Sequence, residues 1–580
     1  MKVQSWPVWI AITSSAALGG CKAQPVAANA NATTGGSDSA ANDGAADAND
    51  AAASAADVAT GPEVSSALLG QPCQPATSNT CGFGLGCFAP PGAPQGFCLR
   101  FCAAGLGCPP GSTCVPSGRA GELCLPQCSN STTCPSGMKC SEDWKACALA
   151  EMRLAPKLPA CPTAADKPAF ANIAAASSAT LFPNTLRFEP TAALLSDGGL
   201  VIAAAAATVH GFDADGKMVH EPNPMTALKI SPTGQTESEV VVPAARQRNL
   251  DPWIALDRNK KLHLVWLGQD DGETAMEISY ATSDDGLAWS LHPPVHDSQD
   301  CPASAKGCLD KPMIVAAADP QAPKQDVLHV LYAGSFGLSA VRSVDGGKSF
   351  SKAAPLKLGA YGDIASDAKG AVHVASVIWS ATPASYFGDP AMSIVHSATV
   401  DGGKSWSAIH TVSAASEPIP FYFSNTQIAI DEPRKLVYVV YPRGLAGRWD
   451  LVLAVSKDAG NSWTRKVIAP SGDCLIHAIP SLVVDPQQGD LHLTWNDQAG
   501  VTGRVAWLRC ASEAETCDTP HSVSATPFAS MPLARWNPVW MGEYDALVLD
   551  HERRMLRMVW TQPDGKPLWS RLVYGDRKLP

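Results

Sequence analysis

Ser343-Val-Asp-Gly-Gly-Lys-Ser-Phe350 and Thr399-Val-Asp-Gly-Gly-Lys-Ser-Trp406 are near-identical octapeptides. Ser283-Asp-Asp-Gly-Leu-Ala-Trp289 and Ser456-Lys-Asp-Ala-Gly-Asn-Ser-Trp463 repeat the same pattern. Their central residues Asp285, Asp345, Asp401 and Asp458 are spaced 60, 56 and 57 residues apart. A near-constant period of this size signals a repeat architecture. Ser and Asp side chains close tight turns by hydrogen-bonding backbone groups a few residues on. Gly supplies the positive φ such turns need, and the final aromatic packs the turn back onto its sheet.

The segments between the turns read as strands. Lys261-Leu-His-Leu-Val-Trp266, Asp326-Val-Leu-His-Val-Leu-Tyr332, Lys435-Leu-Val-Tyr-Val-Val-Tyr441 and Asp490-Leu-His-Leu-Thr-Trp495 are β-branched and aromatic runs bounded by turn residues. The motifs resemble the Asp boxes of the sialidase superfamily. That resemblance covers about residue 165 onward and implies an all-β propeller of four-stranded antiparallel blades. It also implies that Asp285, Asp345, Asp401 and Asp458 are architectural and lie on the face away from any substrate.

Apolar runs ending in Asp recur at 194–197, 253–257, 313–319, 364–367, 428–431, 482–485 and 547–550. They set the expected blade count at seven, with the six of that superfamily as the alternative. Extending the period backward reaches Leu228-Lys-Ile-Ser-Pro-Thr-Gly234, a degenerate turn, and forward it reaches the loop from Cys510 to Cys517, where a disulfide is expected to replace the missing box. Cys301 and Cys308 form a second local pair, and Cys161 with Cys474 remain as a long-range pairing.

The N-terminal part divides by composition. Residues 1–21 carry Lys2, a short apolar stretch and Leu18-Gly-Gly-Cys21, which resembles a bacterial lipobox and implies export with lipidation of Cys21. Residues 22–65, rich in Ala, Asp, Asn and Ser, cannot bury enough apolar surface to order and read as a tether. Residues 66–150 hold twelve cysteines among Gly and Pro, a disulfide framework in an exported chain. Zinc is disfavoured there because the stretch has no His and no paired C-x-x-C spacing. The propeller is assigned to residues 160–580. The formal net charge of −11 and the absence of any Lys/Arg run argue against nucleic acid as a partner. The expected location is the bacterial cell envelope, with membrane attachment through the lipid alone, no cofactor, no metal and a monomeric state.

A sialidase needs arginines for the substrate carboxylate and a Tyr nucleophile paired with a Glu. The resemblance places Arg187, in Leu186-Arg-Phe-Glu-Pro190, at a carboxylate-binding position and Tyr544 at the nucleophile's position. The matching Glu is missing from Ser424-Asn-Thr-Gln427 and His477-Ala-Ile-Pro480, and Glu417 lies upstream of both. Arg246, Arg248, Arg443 and Arg448 stand in loops with nothing to select among them. Polar residues at strand starts, namely Asp251, Asp310, Lys311, Asp363, Asn425 and His477, are expected to ring one mouth of the propeller and form its ligand site. The expectation is a non-catalytic binding or scaffold propeller with a glycan or other surface ligand; the alternative is an exo-α-sialidase or related glycoside hydrolase.

Overall fold

A computed structural model describes segments between residues 69 and 149 and between 169 and 580. Residues 1–68, 150–168 and several connecting stretches, including 380–391, 421–425, 473–475 and 530–543, lie outside the described set. Cys21, Cys161, Cys301, Asn425 and Cys474 therefore lie outside it too.

Among the described residues between 169 and 580 the regular elements in chain order are strands, with a short 3-10 turn at Ser512–Ala514. The strands form antiparallel meanders beginning at Thr185–Leu194, Arg248–Leu256, Asp310–Ala318, Tyr361–Ser366, Gln427–Asp431, Ile476–Val484 and Ala546–Asp550. Each first strand neighbours the next in chain order, and Ala546–Asp550 neighbours Thr185–Leu194, so the first strands line the axis of a closed ring. The last sheet borrows its fourth strand from far upstream, with Ala171–Ala175 pairing antiparallel with Ser570–Lys578. This is an all-β propeller of four-stranded blades.

The sheets do not separate into seven. Five stand as individual blades, while Gln427–Asp431 through Phe528–Ala529 form one nine-stranded sheet. A single parallel bridge, Trp449 with Ile476, joins its two meanders. The sequence pattern could not show this fusion, because one bridge between otherwise separate meanders leaves no periodic trace.

The core lies between sheets. Trp266 and Trp560 are fully buried in apolar clusters that span adjacent sheets, and Trp495 in one that spans the two meanders of the nine-stranded sheet. Burying each such side chain is worth about 3 kcal/mol against ordering entropy of similar total size. The Asp ending each first strand closes the following turn. Gly199 N donates to Asp197, Lys261 N to Asp257, Ala371 N to Asp367 and Arg553 N to Asp550.

The four motif turns follow third strands, at the end of the ring opposite the first-strand starts. Ser405 and Ser462 donate from both N–H and hydroxyl to Asp401 and Asp458. Ser349 does the same for Asp345. Donation from the Ser349 hydroxyl leads the effects holding the Asp345 carboxyl down at about 2. Asp285 is held low chiefly by the Ala288 and Leu287 amides. Each turn rests on the preceding sheet. A Cβ on Gly286 would strike Val201, on Gly347 the Tyr280 hydroxyl, on Gly403 the His329 ring and on Gly460 the His396 ring. Cys510 and Cys517 are disulfide-bonded, and their loop meets Tyr438, whose hydroxyl accepts from Glu513 N.

In the cysteine-rich stretch, Cys108 bonds Cys124, Cys128 bonds Cys140 and Cys134 bonds Cys147. The sulfurs of Cys128, Cys134 and Cys140 cluster, but disulfide bonding leaves no thiolate for a metal. Cys308 is also disulfide-bonded.

Candidate functional site

The first strands carry a repeated irregularity that positions the mouth residues. Glu189, Asp251, Lys311 and Ile479 each precede a proline and each has φ between 42° and 58°. Proline offers no N–H to the ladder, and the strand register shifts at each of these places. At Glu189, Asp251 and Lys311 the bulge turns the side chain toward a neighbouring first strand.

The result is a girdle of contacts around the axis. Asp251 N donates to Glu189 Oε2 at 3.0 Å, and Lys311 Nζ reaches Asp251 Oδ1 at 3.2 Å. The same ammonium lies 5.5 Å from the centroid of the Tyr544 ring. Tyr544 donates to the Pro252 carbonyl at 3.2 Å and packs 5.7 Å from Trp253. Asp310 accepts from Lys311 N at 3.0 Å. Asp363 accepts from Ile364 N at 2.8 Å and from Ile428 N, in the next meander, at 2.9 Å. Burial pushes its carboxyl up to about 7 against those two donors. Ser481 donates to the Asp545 carbonyl and so ties the next pair of first strands.

His477 faces a different neighbour. Its Nδ1 lies 2.6 Å from Asp497 Oδ1, and Arg504 Nε donates to Asp497 Oδ2 at 3.0 Å. Trp495 Nε1 also donates to Asp497. The structure thus brings Asp251, Lys311 and Tyr544 together, while Asp363 and His477 occupy separate joints. The space among Trp253, Lys311, Met313, Gly362, Gln427 and Tyr544 is a cavity of about 10 Å³, room for one water at most.

Arg187 is not at the mouth. It is 1% exposed, with Nη2 at 2.6 Å from Glu239 Oε1 and Nη1 donating to Thr226 at 3.0 Å. It lies across the first sheet, passing Ala204, whose small side chain leaves room between the first and third strands. Desolvation lowers its pKa, opposed by Glu239.

A phenol–carboxylate pair does exist, at residues not paired from sequence. Tyr441 donates to Glu417 Oε2 at 2.8 Å, and Arg443 Nη1 donates to Glu417 Oε1 at 3.2 Å. Burial, then the Glu417 charge, pushes the Tyr441 hydroxyl far above its usual range. The signal available was Tyr441-Pro-Arg443, two side chains on one strand face, but the partner Glu417 is brought back by a loop that no periodicity marks.

A larger cavity, about 580 Å³, opens at the far end of the ring among the turns carrying Asp367, Lys369, Glu432 and Lys435.

No family model matches the chain, and no curated protein matches it. Among solved structures it is similar to a protein of unknown function from Dyadobacter fermentans, at 12% identity and TM-score 0.41 over 71% of this chain and 99% of that one. It is similar to the Hadza microbial sialidase Hz136 at 12% identity and TM-score 0.36, covering 68% and 66%. The Fusarium graminearum α-L-arabinofuranosidase Arb93A gives 14% and 0.38, covering 58% and 96%. At these scores the likenesses carry no functional weight; the architecture rests on the strand pairing.

Proposed function

We propose that the chain is an exported bacterial cell-envelope lipoprotein, anchored through Cys21, whose propeller is a non-catalytic binding or scaffold domain. Counted by meander, the ring has seven blades in this reading. One observation carries the non-catalytic part: the groups that would do sialidase chemistry serve the ring itself. Arg187 is held in a buried pair with Glu239, and Tyr544 donates to the Pro252 carbonyl beneath the Lys311 ammonium. A glycan or other polar surface ligand would meet the first-strand-start face, where the half-buried Arg246 and Arg443 are held by Glu277 and Glu417.

The test is hydrolysis of a fluorogenic sialic-acid glycoside and a fluorogenic α-L-arabinofuranoside by the chain from residue 160 onward. A flat trace from folded protein is expected for both. Turnover lost in Tyr544→Phe would replace this reading with a glycosidase. The same protein on a glycan array then reports on the ligand.

A further inference from the structure

The four motif turns are seated on different chemistries: Val201, Tyr280, His329 and His396. Two of these seats are imidazoles, which take a proton in mild acid once released to water. His329 is 2% exposed and its Nε2 has no hydrogen-bond partner. A Cβ on Gly403 would come within 2.9 Å of its ring, so the turn lies directly on the imidazole. The charged groups facing it are Arg342 from the adjacent strand and Asp401 from the turn. Arg342 is committed to the Gly402 carbonyl, and Asp401 already accepts from Thr399, Lys404 and Ser405.

His396 is 1% exposed beneath Gly460, with Trp463 packed edge-on at 5.4 Å. Its titratable neighbours are His373, 3.0 Å away between ring nitrogens, and His410. Neither offers a negative charge, one shared proton is all the His373–His396 contact holds, and the Gly460 backbone that favours the charged ring is a neutral partner outweighed by burial. A cation at either seat would be buried without a free counter-charge. Withdrawing the turn exposes the ring to water and removes that penalty.

We propose that the turn-bearing end of the ring is an acid-released clasp, in which protonation of His329 and His396 unseats the turns at Asp401 and Asp458 while the girdle at the opposite mouth holds. Burial leads the causes depressing both imidazoles, to about 4 and about 3. A histidine depressed on seating contributes its stability above pH 6.5 and loses it as pH falls toward those values. Between pH 7.5 and pH 5 the unseated fraction of each turn rises about thirtyfold if the released ring titrates normally.

Hydrogen exchange on the full chain, corrected for the intrinsic pH dependence, reads this directly. The amides of Ser405 and Ser462 should lose about thirtyfold in protection at pH 5, while Ile428 N in the girdle, whose acceptor Asp363 is more protonated at pH 5 than at pH 7.5, loses none. Ala288 N, in the turn seated on Val201, is the internal control and should not change. Loss at Ala288 together with Ser405 and Ser462 would mean general unfolding and overturn the proposal, as would unchanged protection at all four sites. His329→Gln with His396→Gln should abolish the pH response; a response persisting in that variant would also sink the idea. Should the variant not fold, the Ala288 comparison in the unaltered protein still decides.

Discussion

Arg187 shows how far a residue's chemistry depends on its face. Its sequence context pointed to a substrate carboxylate, yet its side chain runs across the sheet to Glu239. What the context could not reveal is the pair Ala204 and Ala206 on the neighbouring strand, whose small side chains share the face Arg187 crosses. Removing one partner of a buried pair leaves an uncompensated charge, so Glu239→Gln should cost about 3–5 kcal/mol. Arg187→Met with Glu239→Met should cost much less. Urea midpoints of the single and double variants check this, and equal losses would show the pair to be incidental. Asp363 gives a prediction of opposite pH sign to the histidine seats. Its carboxyl is raised from 3.8 to about 7, so its contribution is complete below pH 3.8 and is lost as pH rises through 7. Asp363→Asn should therefore flatten the fall in stability between about pH 4 and pH 7, read as urea midpoints across that range.

At the scale of the element, the strands and turns were the legible part of the chain. Ser, Asp, Gly and an aromatic in fixed order leave little choice of conformation, and the structure gives each Asp of the four turns its backbone donors. The mouth was less legible. Asp251 and Lys311 could be named from their place at strand starts, but their use could not. The clue was the proline following each one, which makes a bulge and aims the side chain at a neighbouring strand rather than at solvent. Pro252→Ala should let that strand regain its register, loosening the contact between Asp251 and Lys311. A lower thermal midpoint with a rise in exchange at Asp251 N is the expected result; an unchanged midpoint would assign the bulge to the ring alone.

The whole molecule is held by contacts between neighbours all the way round. At the far end of the ring Arg258 donates to Asp326, Arg434 to the Gln487 carbonyl and Arg554 to Asp485, each linking the turn of one meander to the next. None of these links was visible in sequence, because each joins residues about 50 to 70 apart with no motif in common. The closure between Ala171–Ala175 and Ser570–Lys578 is the longest of them. A chain beginning at residue 177 should lack a strand in its last sheet and lose cooperative thermal unfolding, whereas one beginning at 165 should keep it; differential scanning calorimetry distinguishes them. That closure has a further consequence. Because the two ends of the ring meet in one sheet, its cut point is a matter of genetic order rather than of packing. A circular permutant joining residue 580 to residue 169 and reopened between two other sheets would trace the same ring, and only the place where its two new ends emerge would differ.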